Sequence, residues 1–139
     1  MVKTAKNITN MDSNKIYNNN NLQYNIRKYR EIKGLSQIQL AEISRLDRST
    51  IAEIERKGNH NIKVETLRKL MEVTDDEKLL DDYCRFILNQ KEEIKKLIDK
   101  FGKEFLCNTL GIHRSTLERW GSGKYQVKRE MFEKIRIIT

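Results

Sequence analysis

The sequence predicts an all-α protein, from its composition and from the spacing of its apolar residues. Proline is absent from the 139 residues, aromatic residues make up only 7%, and charged residues make up 35%. This composition favours helices with large polar surfaces over a β-sandwich. Apolar residues recur three and four positions apart along much of the chain, which is the helical period. The length suits one ordinary domain or two very small ones, and it excludes a large multidomain enzyme.

The chain is basic, and its charge points to nucleic acid as a partner. Lysine and arginine total 28 against 20 aspartate and glutamate residues, a formal net charge of +8. A field of this sign attracts polyanions, so double-stranded DNA is the first partner to test. Residues 1–10 lack the apolar core of a signal peptide, and no stretch approaches the ~18 apolar residues that span a bilayer. We therefore expect a soluble, cytoplasmic protein without a membrane partner.

The few cysteines and histidines argue against metal or thiol chemistry. Cys84 and Cys107 lie far apart within helical patterns, and only His60 and His113 could join them in a cluster. This spacing matches neither a zinc site nor a disulfide framework. We expect two buried free thiols, no metal and no cofactor.

A polar arm precedes the first helix. Residues 1–21 hold seven of the twelve asparagines and show almost no apolar period, which predicts a disordered arm. A first helix follows and ends at Gly34. Its apolar stripe consists of Leu22, Ile26, Tyr29 and Ile32.

Two short helices joined by a tight turn come next. Ser36 and Gln39 fit a capping box that opens a helix of about two turns. Asp47 is a good N-cap for a third helix, which buries two isoleucines and stops at Gly58. Leucines at positions 67 and 70 mark a fourth helix, and a second capping box at residues 74–77 predicts a further helix that reaches residue 88.

Residues 36–58 closely resemble the helix-turn-helix signature of the Cro and lambda-repressor-like (XRE) family, and the resemblance extends over residues 22–88. Ala41 is small where the two helices would cross, and Leu46 and Ile51 would fill the wedge between them. The resemblance implies a five-helix, lambda-repressor-like DNA-binding domain over residues 22–90, whose third helix enters a major groove.

The resemblance also implies which residues contact DNA. Base reading would fall on four residues in the N-terminal half of the third helix: Arg48, Ser49, Ala52 and Glu53. Arginine can bridge guanine O6 and N7, alanine can touch a thymine methyl, and glutamate can accept from cytosine N4 or instead orient the arginine. Gln37 would bind phosphate and brace this helix, and amides around Lys57 and Asn59 would meet the next phosphate. The alternative is an ordinary solvated helix face.

Two positions depart from the family pattern, and one pair agrees with it. Arg45 stands in the turn where the family commonly has glycine, so a left-handed backbone there would carry a side chain at some cost. Ile62 stands where proline is common after the third helix. Arg30 and Glu55 occupy positions where the family often has an ion pair between the first and third helices, and we predict the same pair here.

A second, divergent copy of the motif is predicted in the C-terminal half. A shift of 66 positions lays the Arg-Ser-Thr-Ile at residues 48–51 over the Arg-Ser-Thr-Leu at residues 114–117, with Gly111 in the turn and Trp120 in the core. We therefore predict a small helix-turn-helix-like domain over residues 91–139. Its DNA-binding positions would be Arg114, Ser115, Glu118 and Arg119. Because Glu118 and Arg119 stand where the first copy has Ala52 and Glu53, the two units should not read the same half-site. A chance match is the alternative.

The C-terminal half of the chain is more basic than residues 22–90. Residues 91–139 hold 12 basic and 7 acidic residues, against 13 and 12 in residues 22–90, so the second half attracts polyanions more strongly.

Apolar residues between Leu80 and Phe101 step by three and four, interrupted at Gln90, which fits one long helix that could pair with a second copy. We favour two separate helices, each facing its own core. The sequence does not decide between a monomer and a homodimer.

Taken together, these patterns favour a sequence-specific DNA-binding transcription regulator, a repressor of phage or mobile-element type that occupies promoter DNA. The alternative is an antitoxin or inhibitor-like protein-interaction module, which uses its helix-turn-helix for autoregulation and holds a protein partner through the C-terminal half. An enzyme is the weakest possibility, because the sequence presents no nucleophile and base pair, metal cluster or phosphate loop.

Overall fold

The computed structural model describes residues 17–18, 21–56 and 61–139. These residues form nine α-helices and one 3-10 helix, which confirms the prediction of an all-α fold. They divide into two compact units: unit 1 ends at Cys84, and unit 2 is Arg85–Thr139. The division falls inside a helix, and the boundary that the sequence places after residue 90 stays a prediction. The predicted arm lies outside the described residues, except for positions 17, 18 and 21.

Unit 1 is built from short helices around an aliphatic core. Its elements are α1 (Leu22–Lys33), α2 (Gln37–Ser44), α3 (Arg48–Glu55), α4 (Val64–Thr74), a 3-10 helix (Glu77–Leu79) and the start of α5 (Asp82–Leu88). Burial of one large aliphatic side chain contributes about 1.5–3 kcal/mol to the stability of a fold. The fully buried ones here come from α1 to α4 and the 3-10 helix: Ile26, Leu40, Ile51, Leu67, Leu70 and Leu79. One side of α3 is therefore committed to the core.

Unit 2 contains the remaining helices. They are α6 (Gln90–Phe101), α7 (Lys103–Leu110), α8 (Arg114–Ser122) and α9 (Arg129–Ile138). Trp120 is only 6% exposed, which confirms the prediction that it belongs to the core. Within the described ranges, α1 and α6 are the longest helices, with 12 residues each, and none has the length and apolar content that a membrane crossing requires.

The caps around α1 and α2 are those that the sequence predicts. Gly34 adopts a left-handed backbone with φ 69° and ends α1. The Ser36 hydroxyl accepts a hydrogen bond from the Gln39 N–H, while the Gln39 side chain accepts one from the Ser36 N–H. These two bonds satisfy N–H groups that have no partner inside the helix.

The predicted bounds of α3 are partly wrong. Asp47 stands at the N-cap, but its side chain makes no capping hydrogen bond. The helix ends at Glu55 rather than at Gly58, because Arg56 has an extended backbone with φ −75° and ψ 146°. Residues 57–60, including the predicted stop, lie outside the described residues.

The capping box predicted at residues 74–77 is wrong. Thr74 is the last residue of α4, and Asp75 ends that helix with a left-handed backbone, φ 45°. Asp76 caps only a single 3-10 turn, and the next α-helix begins six residues later, where Asp81 accepts a 2.8 Å hydrogen bond from a backbone N–H in its first turn. Aspartate side chains compete for local backbone groups, so two in succession stop one helix before another can start.

The segment around Asn89 agrees with one of the two alternatives that the sequence analysis describes for it. Asn89 separates α5 from α6, so the chain has the two helices that we favoured over one long helix.

Cys84 is buried, whereas Cys107 is only half-buried. The expectation of buried free thiols is therefore wrong for Cys107, because its position on α7 lies at the edge of the apolar stripe.

Candidate nucleic-acid interface

The turn between α2 and α3 sets the angle at which α3 is presented. Arg45 has a left-handed backbone, φ 58° and ψ 40°, as the comparison with glycine at this position predicts. The N–H of Leu46 donates to the carbonyl of Ala41 at 2.9 Å and closes the turn. Ala41 is 3% exposed, so α2 and α3 approach each other closely at a small side chain.

The two sides of α3 differ in exposure. Ile51 and Ile54 are buried against the core of unit 1. On the opposite side lie the four predicted base-reading residues, which we call the outer face of α3: Arg48, Ser49, Ala52 and Glu53. Three of these side chains are exposed, and Ala52 is half-buried. Their spacing of one, three and one places them together on the same side of a helix.

The charged residues of the outer face of α3 are not equally available. The Glu53 carboxylate pairs with Arg56, one turn further along. Arg48 forms no ion pair with any residue that the structure describes, and its guanidinium is therefore open to solvent. Glu53 consequently orients Arg56 rather than Arg48.

A half-buried ion pair fixes the C-terminal end of α3 to α1. The Glu55 carboxylate is 4% exposed and accepts hydrogen bonds from Arg30 Nε at 2.8 Å and Arg30 Nη2 at 2.9 Å. Arg30 also donates to the carbonyl of Leu35 at 3.0 Å. The hydrogen bond to Glu55 raises the pKa of Arg30. The ion pair predicted from the resemblance is confirmed.

Two further side chains converge on Glu55. Gln37 Nε2 donates to the carboxylate at 3.4 Å, which fits the bracing part of its predicted role. Arg27 Nη2 donates to the Glu55 carbonyl at 3.3 Å and satisfies a backbone group at the end of α3. Arg27 was not predicted from the sequence, because this contact depends on how closely α1 passes the end of α3. Lys57 and Asn59, the other two predicted contacts of this unit, lie outside the described residues.

The connection between α7 and α8 in unit 2 has the same local geometry. Gly111 is left-handed, with φ 68° and ψ 40°. The N–H of Ile112 donates to the carbonyl of Cys107 at 3.1 Å, which is the Leu46 to Ala41 bond displaced by 66 positions. His113 has φ −78° and ψ 154°, against −80° and 149° at Asp47.

The side of α8 that faces away from the core carries the four residues predicted for it. Leu117 and Trp120 are buried, whereas the outer face of α8 is exposed: Arg114, Ser115, Glu118 and Arg119. Nε of the first arginine lies 3.8 Å from the glutamate carboxylate. The guanidinium of Arg119 lies 5.2 Å from the centre of the Tyr125 ring.

The match to a known protein family lies within unit 1. The family model described as helix-turn-helix matches residues 26–78, from within α1 into the 3-10 helix. Control protein C.SmaI of Serratia marcescens is 52% identical over 46 residues, which are 33% of this chain and 54% of that protein. The chain thus spans about half the length of the curated relative that it matches. No solved structure matches the chain. Residues 26–78 are a helix-turn-helix domain, and the family match does not extend into unit 2.

Proposed function

From the helix-turn-helix domain at residues 26–78, we propose that this chain is a sequence-specific DNA-binding transcription regulator of XRE type, not an enzyme, which acts on DNA in the cytoplasm. The observation that carries the proposal is the arrangement of α3. Its inner side is buried, its C-terminal end is held to α1 by Arg30 and Glu55, and its outer face is exposed. A short helix held this way presents its side chains to a major groove without losing its own packing.

The outer face of α3 supplies the chemistry for base reading. Arg48, which is open to solvent, can bridge O6 and N7 of guanine, and Ser49 can donate or accept. Ala52 fits a thymine methyl, and Glu53 can accept from cytosine N4 while Arg56 holds its carboxylate in place. Gln37, at the N-terminus of α2, is proposed to contact a phosphate. Lys57 and Asn59 remain proposed phosphate contacts that lie outside the described residues.

The regulatory role is proposed as repression of a phage or mobile-element promoter by occupancy of the DNA. The similar protein from Serratia marcescens is named a control protein, which supports a regulatory role. A protein on promoter DNA blocks other proteins from the same grooves, so binding alone is sufficient for repression.

A second candidate function is a protein-interaction module of antitoxin or inhibitor type. It would use α3 for autoregulation and unit 2 to hold a protein. Exposed apolar side chains on unit 2 favour it, since Phe105 is 46% exposed and Ile137 is 85% exposed. Single exposed apolar residues are common on soluble proteins, however, so this observation carries less weight than the arrangement of α3.

Selection of bound sequences from a random DNA pool tests the proposal. We expect the full chain to enrich a defined motif. Arg48→Ala should weaken binding to that motif by roughly 1–3 kcal/mol, or about 5- to 150-fold, and relax preference at one base position, because a bidentate guanine contact carries both affinity and identity. Binding to random DNA should change little.

Arg68→Ala is the matched control, since Arg68 is an exposed arginine on α4 and is not one of the residues of the outer face of α3. It removes the same charge and should leave the motif and the affinity for it unchanged. If Arg48→Ala weakens motif and random DNA equally, Arg48 contacts a phosphate and not a base. If the chain enriches no motif at all, the regulator proposal is wrong.

A further inference from the structure

We infer that α8 of unit 2 is a second DNA-reading helix whose sequence preference differs from that of α3, so that one chain recognises a two-part, asymmetric site. The inference deepens the proposed function and rests on it. Four observations support it: the order of the helices, the way α8 is held, the local charge, and the residues of the outer face of α8.

The helices of unit 2 repeat those of unit 1 in order and length. Helices α1 to α4 have 12, 8, 8 and 11 residues, and α6 to α9 have 12, 8, 9 and 10. In each unit a buried aliphatic residue stands directly before the lysine that is the N-cap of the fourth helix: Ile62 with Lys63, and Val127 with Lys128. Together with the matching turn hydrogen bonds, this correspondence supports a second helix-turn-helix unit better than the sequence match of residues 48–51 to residues 114–117 does.

In unit 2 the buried side-chain amide of Gln90 holds the first helix to the end of the third, as the ion pair of Arg30 and Glu55 does in unit 1. Gln90, which is 7% exposed, begins α6 and donates from Nε2 to the carbonyls of Trp120 at 3.0 Å and Tyr125 at 2.7 Å. Its Oε1 accepts from the N–H of Val127 at 2.8 Å. In both units the first helix therefore holds the C-terminal end of the third. A helix fixed before binding loses little conformational entropy when it binds.

The charge around α8 suits a polyanion. Residues 114–129 hold five basic residues and one acidic residue, whereas the corresponding residues 48–63 hold four and two. Lys124 and Lys128 are exposed in the segment that follows α8. Lysines beside a reading helix neutralise phosphates and give binding its dependence on salt.

The outer face of α8 favours DNA over a protein partner. All four of its side chains are polar or charged, whereas the centre of a protein interface is depleted of charged residues. The exposed ion pair between Arg114 and Glu118, at 3.8 Å, is weak enough to exchange for contacts with bases.

The same face predicts a different sequence preference from that of α3. Glu118 replaces Ala52, so an acceptor for cytosine N4 stands where α3 has a methyl group. Arg119 replaces Glu53, which reverses the charge at that position. Stacking on Tyr125 fixes the direction of the Arg119 guanidinium, as Arg56 does for the Glu53 carboxylate.

Selection from a random pool and footprinting with the full chain test the inference. The unaltered protein should enrich two linked motifs and protect both. Arg114→Ala with Arg119→Ala should lose the second motif and shorten the footprint to the first. It should also reduce the slope of log K against log salt by one to two units, because Lys124 and Lys128 then leave their phosphates and each lost neutralisation lowers the slope by about one. Lys95→Ala with Lys96→Ala is the matched control, since it removes two charges from exposed positions of α6 in the same unit, and it should keep both motifs.

Glu118→Gln provides a test that does not reduce positive charge. It should change the preferred base at one position of the second motif and leave the first motif as it is. A single motif that depends on Arg48 and is unaffected by changes in α8 would overturn this inference while leaving the proposed function intact. Enrichment of no motif by the unaltered protein would overturn both. A full footprint with the double variant, together with loss of a protein partner, would make the outer face of α8 a protein-binding surface instead.

Discussion

At the scale of single residues, Glu55 is the side chain on which the placement of α3 depends most. Its carboxylate is buried and receives two hydrogen bonds from Arg30, whose side chain is 18% exposed. Removal of Arg30 leaves the buried Glu55 carboxylate with only the more distant Arg27 Nε, at 3.8 Å, and the hydrogen bond from Gln37. Removal of Glu55 leaves the half-buried Arg30 guanidinium without a carboxylate, so we expect Arg30→Ala and Glu55→Ala each to lower the free energy of unfolding by up to about 3 kcal/mol. Denaturant unfolding of both single variants and of the double variant measures their coupling, which should exceed about 1 kcal/mol.

The exposed pair of Arg45 and Glu72 is the control for that cycle. Its nitrogen and oxygen lie 3.0 Å apart, but the side chains are 71% and 66% exposed. Solvent screens such a pair, so its coupling should stay below about 1 kcal/mol. A coupling between Arg30 and Glu55 no larger than this control would mean that the buried pair does not hold α3 to α1.

Single residues were predictable from the sequence where a pattern covers them. The Arg30 and Glu55 pair follows from the family resemblance, and the structure confirms it. The bond from Arg27 to the Glu55 carbonyl depends on how closely α1 passes the end of α3, which no local pattern encodes. The ion pair between Glu53 and Arg56 could have been predicted from the sequence, because Arg56 lies three residues further along the chain, a common ion-pair spacing on a helix.

At the scale of elements, the turns at Arg45 and Gly111 are a natural comparison. Both are left-handed, and a residue with a side chain is less stable in that conformation than glycine by about 1–2 kcal/mol. We expect Arg45→Gly to raise the free energy of unfolding by up to about 1 kcal/mol, because relief of this strain outweighs the loss of an exposed ion pair. Thermal or denaturant unfolding measures the change, and Glu72→Ala measures the ion pair alone.

Gly111→Ala is the reverse change in unit 2. No atom lies within 4 Å of a Cβ placed at Gly111, so crowding does not contribute. The variant should lose about 1 kcal/mol of stability from backbone strain alone. A destabilised Arg45→Gly variant, with a loss greater than that of Glu72→Ala, would show that the arginine stem contributes packing that outweighs the strain.

Helix starts and stops were predictable where one residue type has one conformational role. Gly34 and the Ser36 to Gln39 capping box are where the sequence places them. The box at residues 74–77 fits the same template, yet Asp75 ends a helix there, because aspartate serves helix ends as well as helix starts. At such a site the residue type predicts that a helix boundary is present, but it does not predict whether a helix begins or ends there.

At the scale of the whole molecule, the sequence predicts more of unit 1 than of unit 2. Family resemblance carries the prediction for unit 1, and the match to residues 26–78 agrees with it. In unit 2 the same order of helices is built with glycine in the turn and an amide in place of an ion pair. A second helix-turn-helix unit here is therefore our proposal, which depends on this geometry and not on a family match.

Unit 2 also differs from unit 1 in how its stability can be observed. Val127 lies outside the helices, is fully buried, and donates its N–H to Gln90, 37 positions earlier in the chain. Because that bond opens only when the segment after α8 separates from α6, deuterium should replace the Val127 amide hydrogen as slowly as it replaces those in the middle of α6. Hydrogen exchange measured by NMR checks this, and Gln90→Ala should speed exchange at Val127. Exchange as fast as that of a solvent-exposed amide would contradict it. A single amide in a loop thus reports the free energy that is needed to separate the segment after α8 from α6.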